Sequence, residues 1–131
     1  MFEGKKVIVI MPAYNAERTL EKTFRDIPEG IADEVILCDD HSHDRTVDVA
    51  ERLGLTVIRH DRNKGYGANQ KTLYNRALEC GADIIIMLHP DYQYTPKLIP
   101  SMANIIGTDL FPVVLASRIL GKGALRGGMP F

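Results

Sequence analysis

The chain has 131 residues, enough for one domain with a single core, and its 45% hydrophobic and 25% charged content is that of an ordinary globular protein. A net charge of −1 offers no basic field to draw nucleic acid, and no apolar run approaches the roughly 20 residues a membrane helix needs. The first six residues leave no room for a signal peptide's apolar core, and Cys38 and Cys80 lack paired spacing, which reads as two reduced core thiols of a cytoplasmic protein.

Residues 6–11 form an apolar run rich in β-branched side chains, the pattern of a strand buried on both faces, and Pro12 is expected to close it. Asn15 is placed to cap a following helix that carries Leu20, Thr23, Phe24 and Ile27 on one face and stops at residues 28–30. A second strand at 34–38 runs into Asp39-Asp40-His41-Ser42-His43-Asp44. Ser42 or Asp44 can cap the next helix, with Val47, Ala50 and Leu53 inward and Gly54 at its end. Residues 56–60 are the third strand.

A polar loop at 61–67 leads into a helix with Leu73, Ala77, Leu78 and Cys80 at core positions and Gly81 as terminator. The fourth strand, 84–88, stops at His89-Pro90 because proline cannot donate to a ladder. A helix from 96 to 106 is expected to turn Leu98, Met102 and Ile105 inward, and 112–117 reads as a fifth strand before a glycine-rich tail. Strands alternating with helices predict an α/β fold with a mostly parallel sheet covered on both faces.

In such a sheet the loops after the strands gather on one edge, where ligands bind. Here they are 12–15, 39–42, 61–67 and 89–93, and together they suit a nucleoside diphosphate. Tyr14 can stack on a base, an Asp can accept from a base N–H or a ribose hydroxyl, and Arg62 or Lys64 with a metal can neutralise phosphates. If the turn after the fourth strand is extended, His89, Asp91 and Gln93 point the same way and can hold a divalent cation completed by water and phosphate. Each residue also has a plainer use. Tyr14 can lid the core, Asp39 and Asp40 can cap the following turn, and His41 and His43 belong in solvent. A nicotinamide site is excluded, since residues 11–17 contain no glycine to bring a turn against a pyrophosphate. A phosphoacceptor signalling domain needs its acidic pair after the first strand, and here the pair follows the second.

Four motifs in order resemble the family 2 glycosyltransferases. They are Val-Ile-Val-Ile-Met-Pro-Ala-Tyr-Asn at 7–15, the Asp-Asp-x-Ser-x-Asp-x-Thr of 39–46, Asn-x-Gly-x-Gly at 63–67, and His-Pro-Asp-Tyr-Gln at 89–93. The last is similar to the Asp-Ala-Asp-Leu-Gln of the dolichyl-phosphate-mannose-synthase-like branch. The resemblance implies a GT-A fold, a Rossmann-like three-layer sandwich, in an inverting enzyme that moves a hexose from a UDP- or GDP-sugar to a polyprenyl phosphate or another acceptor. It implies that Pro12, Ala13, Tyr14, Asn15, Asp39 or Asp40, Lys64 and Gly65 hold the nucleoside. Asp91 and Gln93 would contact Mn²⁺ or Mg²⁺, and Arg118 an acceptor phosphate. His89 stands where the branch has its first Asp, and imidazole suits Mn²⁺ better than Mg²⁺. Family members continue beyond the equivalent of residue 131 into an acceptor-binding region. Residues 1–131 are therefore expected to be a single donor-binding domain lacking that part, cytoplasmic and working at the inner membrane face in a full-length form. The exposed apolar edge would favour a homodimer. The alternative is a non-catalytic nucleotide-binding or regulatory module.

Overall fold

The computed structural model describes residues 1–117, so Arg118 lies outside the described residues. Four strands, β1 (Val7–Ala13), β2 (Glu34–Asp39), β3 (Thr56–Arg59) and β4 (Ile84–Met87), form one sheet in the order β3-β2-β1-β4. Every pairing is parallel. The helices are α1 (Leu20–Arg25), α2 (Thr46–Arg52), α3 (Tyr66–Glu79) and α4 (Ile99–Gly107).

β1 is the centre, and all seven of its residues are buried. Its side chains alternate between two layers. Val7, Val9, Met11 and Ala13 pack with Leu20, Ala50, Ile99 and Ala103 of α1, α2 and α4. Ile8 and Ile10 pack with Leu73 and Ala77 of α3 on the opposite face. Crossover handedness explains the division. The chain steps from β1 to β2 to β3 in one direction, then returns past β1 to reach β4, and a right-handed crossover in the reversed direction must use the other face. The strand order therefore switches between β1 and β4, which opens a crevice at their carboxyl ends.

Pro12 does not close β1, which continues to Ala13, paired with Asp39 of β2. Ile10 accepts from the Leu88 amide on the β4 side, so Pro12, two residues on, faces that same side after β4 has ended. Its missing N–H would have no ladder partner there.

Other expectations are corrected by packing. Asn15 caps no helix, for it sits at φ 49° and α1 begins five residues later at Leu20. Its polar groups are engaged across the loop, the side-chain oxygen by the His43 amide and its own amide by Ser42 Oγ. Leu78 is 63% exposed although it sits one position from the buried Ala77. In the last helix the inward residues are Ile99 and Ala103, while Leu98 and Ile105 face out. Residues Pro96–Leu98 form a 3₁₀ turn with three residues per turn, which shifts the phase of the α-helix that follows. Residues 112–117 form no strand among the described residues, and Val113 and Leu115 are 70% and 89% exposed. A β-branched run becomes a strand only where a neighbouring edge receives it. Both cysteines are free, and burial, then the Asp40 and Asp39 carboxylates, push the Cys38 thiol up to about 12.

These burials set a contrast. Ile10→Ala removes a fully buried side chain and should cost about 2–5 kcal/mol in denaturant unfolding. Leu78→Ala should stay within about 0.5 kcal/mol of the parent.

Candidate functional site

The carboxyl ends of β1, β2 and β4 enclose a cavity of about 340 Å³. Its lining includes Pro12, Ala13, Tyr14 and Asn15 after β1, Asp40 after β2, Gly65 after β3, and His89 and Asp91 after β4. Tyr14 is 49% exposed and does not lid the core, so its ring offers a face for stacking. Asp39, Lys64 and Gln93 are not among the lining residues.

The two adjacent carboxylates have different uses. Asp39 is fully buried and turned back on its own loop, where its side chain accepts from the Ser42 amide at 3.0 Å and from the Ser42 hydroxyl. Asp40, 4% exposed, accepts from His60 Nδ1 at 2.9 Å, the Lys64 amide at 2.8 Å and the Gly65 amide at 2.9 Å. Burial pushes the Asp40 pKa up, but the Lys64 amide, the His60 ring and the Gly65 amide outweigh it and hold the carboxyl below its ordinary value. Two of those bonds fall on Oδ1 and one on Oδ2. A carboxylate has about four lone-pair sites, so Oδ2 retains one.

Gly65 makes this possible. Its φ of 89° and ψ of 166° lie in a region essentially reserved for glycine, and the turn aims two consecutive amides at Asp40. Lys64 thus contributes its backbone, while its ammonium makes a 3.5 Å surface pair with Asp61. Nearby Asn69, 2% exposed, donates from Nδ2 to the Cys38 carbonyl, and its buried Oδ1 has no protein partner among the described residues.

The loop after β4 is not extended. Tyr92 adopts φ 61°, which ends the alternation of side chains, and Gln93 turns to a separate groove along β4. The loop is tied to α1, because Thr23 Oγ1 donates to the Pro90 carbonyl, the Tyr92 hydroxyl donates to Asp26, and Lys22 Nζ lies 4.0 Å over the Tyr92 ring. His89 sits between Tyr66 and Tyr94, with ring centroids 5.6 and 5.3 Å away, and its Nε2 is 3.0 Å from the Tyr66 hydroxyl. Asp91 is exposed at the mouth, its Oδ1 accepting from the Gln93 amide. His41 and His43 are exposed, edge to face with each other.

No cluster of three or more His, Cys, Asp or Glu side chains among the described residues can hold a metal. One carboxylate at a cavity mouth does fit a cation whose other positions are filled by phosphate and water. A larger groove of about 1300 Å³, with Tyr74, Leu78, Ile85 and Met87 on its walls, meets the cavity at His89 and Asp91.

His60, Thr72 and Tyr66 were not singled out by sequence as parts of this site. His60 reads as the last residue of a strand, and its partners lie 12 to 22 positions away.

The chain is similar to known proteins over most of its length. A UDP-N-acetylglucosamine–dolichyl-phosphate N-acetylglucosaminyltransferase of Methanococcus voltae is 29% identical over 132 residues, which cover 88% of this chain and 53% of that one. A dolichol-phosphate mannosyltransferase of Pyrococcus furiosus is 31% identical over 135 residues, 96% of this chain and 36% of that one. The chain thus spans about half or less of the length of these relatives. Among solved structures, glucosyl-3-phosphoglycerate synthase of Mycobacterium tuberculosis, in complex with Mn²⁺, UDP and glucosyl-3-phosphoglycerate, matches with a TM-score of 0.65 at 24% identity, over 79% of this chain and 40% of that one. The fold is GT-A. The family description Glycosyl transferase family 2 matches residues 8–129, nearly the whole sequence, and the chain belongs to that family.

Proposed function

We propose that the chain is the donor-binding part of an inverting glycosyltransferase that moves a hexose from a UDP- or GDP-sugar to a polyprenyl phosphate. The observation that carries this reading is Asp40, a buried carboxylate kept ionised by three donors in the wall of a cavity beyond the carboxyl ends of the strands. Its remaining lone pair accepts a ring N–H of the base, which uracil and guanine both offer. The half-exposed Tyr14 ring stacks on that base, and Pro12, Ala13 and Asn15 line its path. Asp39 supports the loop beneath, and the Lys64 and Gly65 amides keep Asp40 in place.

Asp91 would hold a divalent cation, Mn²⁺ or Mg²⁺, with His89 and Gln93 as its neighbours on the loop. Such a cation would supply positive charge for the departing diphosphate. His89, clasped by two tyrosines, sets the wall between cavity and groove. A phosphate acceptor is already ionised and needs no general base. Arg118, outside the described residues, keeps the acceptor-phosphate role that the resemblance gives it. The dolichyl- and dolichol-phosphate transferases among the relatives support a polyprenyl phosphate acceptor, and the Mn²⁺ and UDP in the mycobacterial synthase support the donor and cation. Among the described residues no helix is long and apolar enough to cross a membrane. In this reading a lipid acceptor is met at the inner bilayer surface. Family membership does not favour the non-catalytic alternative.

Calorimetric titration with UDP and GDP should show saturable binding to one or both, weakened about tenfold or more by chelator and by Asp91→Ala. Binding indifferent to both changes would remove the cation from the proposal, and no binding would withdraw the donor site.

The ionised state of Asp40 has its own test. A carboxyl whose folded pKa is depressed contributes stability that is complete above its unfolded pKa and is lost as pH falls through the folded value. Asp40→Asn should therefore flatten the acid limb of a stability–pH curve below about pH 4, and it should weaken nucleotide binding by about 10–100-fold. An unchanged acid limb would mean that Asp40 is not held ionised.

A further inference from the structure

His60 is 7% exposed, the only buried imidazole among the described residues. It closes the edge of the sheet beside the cavity, its amide donating to the Asp39 carbonyl at 2.9 Å. The ring bridges β2 and α3. Nδ1 lies 2.9 Å from Asp40 Oδ1, and Nε2 lies 2.9 Å from Thr72 Oγ1 and 3.5 Å from Cys38 Sγ.

Proton positions follow from the donors available. An ionised Asp40 only accepts, so Nδ1 carries a proton. Thr72 has one hydroxyl proton and two acceptors in reach, His60 Nε2 and the Ala68 carbonyl at 3.0 Å. Nε2 has Thr72 Oγ1 and the Cys38 thiol as partners whichever acceptor takes the Thr72 proton, and the Nδ1–H remains on Asp40.

The other two donors to Asp40 have a different setting. Lys64 and Gly65 belong to a loop whose residues 61–64 are all exposed. The imidazole is instead fixed between the end of the sheet and the interior face of a 14-residue helix. It is the donor to Asp40 whose own anchoring lies in the sheet and α3 and not in the exposed loop.

We propose that His60, seated on Thr72, is a positioning residue that orients Asp40 toward the nucleobase and thereby sets selectivity for bases with a ring N–H, uracil or guanine, over cytosine and adenine. The inference rests on Asp40 receiving the base, as proposed above. Removing His60 leaves Asp40 held only by the Lys64 and Gly65 amides of the loop after β3, without its link to α3, and the loss falls on base discrimination and not on the diphosphate end.

The test is titration of UDP, GDP, CDP, ADP and inorganic pyrophosphate, all with Mn²⁺, into the parent chain and the variants His60→Leu, His60→Asn and Thr72→Val. The parent should prefer UDP or GDP over CDP and ADP. His60→Leu should lose about tenfold on the preferred nucleotide, the loss expected for one hydrogen bond to a charged group, with pyrophosphate unchanged. His60→Asn, whose side-chain amide replaces the Nδ1–H, should restore most of the selectivity. Thr72→Val should show a smaller loss in the same direction. Selectivity unchanged in His60→Leu, or an equal loss on pyrophosphate, overturns the proposal and leaves the donor site standing. Should His60→Leu fail to unfold cooperatively, the other two variants decide, and His60→Asn without selectivity or Thr72→Val without any loss overturns it. A parent that binds no nucleotide overturns the donor site and this inference together.

Discussion

β1 is hydrogen-bonded on both edges by parallel strands and buried on both faces, and the rest of the molecule depends on that position. Parallel neighbours cannot be joined by a tight turn, so each pairing demands a crossover that packs a helix against the sheet. The three crossovers do not all run the same way. The return from β3 to β4 reverses direction and sends α3 to the opposite face, and β1 and β4 part at their carboxyl ends. Pro12 sits at that parting, where no ladder partner is needed on the β4 side, and the chain leaves the sheet after Ala13 to wall the cavity.

The rim of the cavity is held by bonds between loops more than by bonds within them. The loop after β1 is tied to the loop after β2 through Asn15 with Ser42 and His43, and to the first residue of α2 through Ala16 with Thr46. Asp40 joins the loop after β2 to the loop after β3, and Pro90 and Tyr92 join the loop after β4 to α1. Many of these polar groups are buried or half-buried, where an unpaired partner costs more than the bond itself contributes. The rim therefore behaves as one unit, and the left-handed residues Asn15, His41 and Tyr92 are where its turns are tightest.

Much of this was legible in the residues alone. The four strands, the parallel sheet and the loops that meet at one edge follow from apolar runs punctuated by Gly, Pro and Asp, because a strand buried on both faces has few other sequences open to it. The helical faces were less legible. Leu78 and Leu98 have the composition of core residues, yet a 3₁₀ turn and the limited width of the covering layer left them outside. The run at 112–117 has strand propensity without a receiving edge among the described residues.

Local pattern and chain connectivity were enough to give the four strands, the family motifs and the inventory of side chains at the carboxyl edge. Which of two adjacent carboxylates lines the cavity depends on the assembled fold. Asp39 and Asp40 are equivalent in composition, but side-chain alternation gives each a different surrounding, Ser42 for one and His60, Lys64 and Gly65 for the other. The fold also decided that Gln93 leaves the cavity, because a single left-handed residue breaks the alternation, and that a histidine ending a strand becomes the partner of Asp40. Those outcomes turn on contacts between residues distant in the chain, and no local pattern carries them.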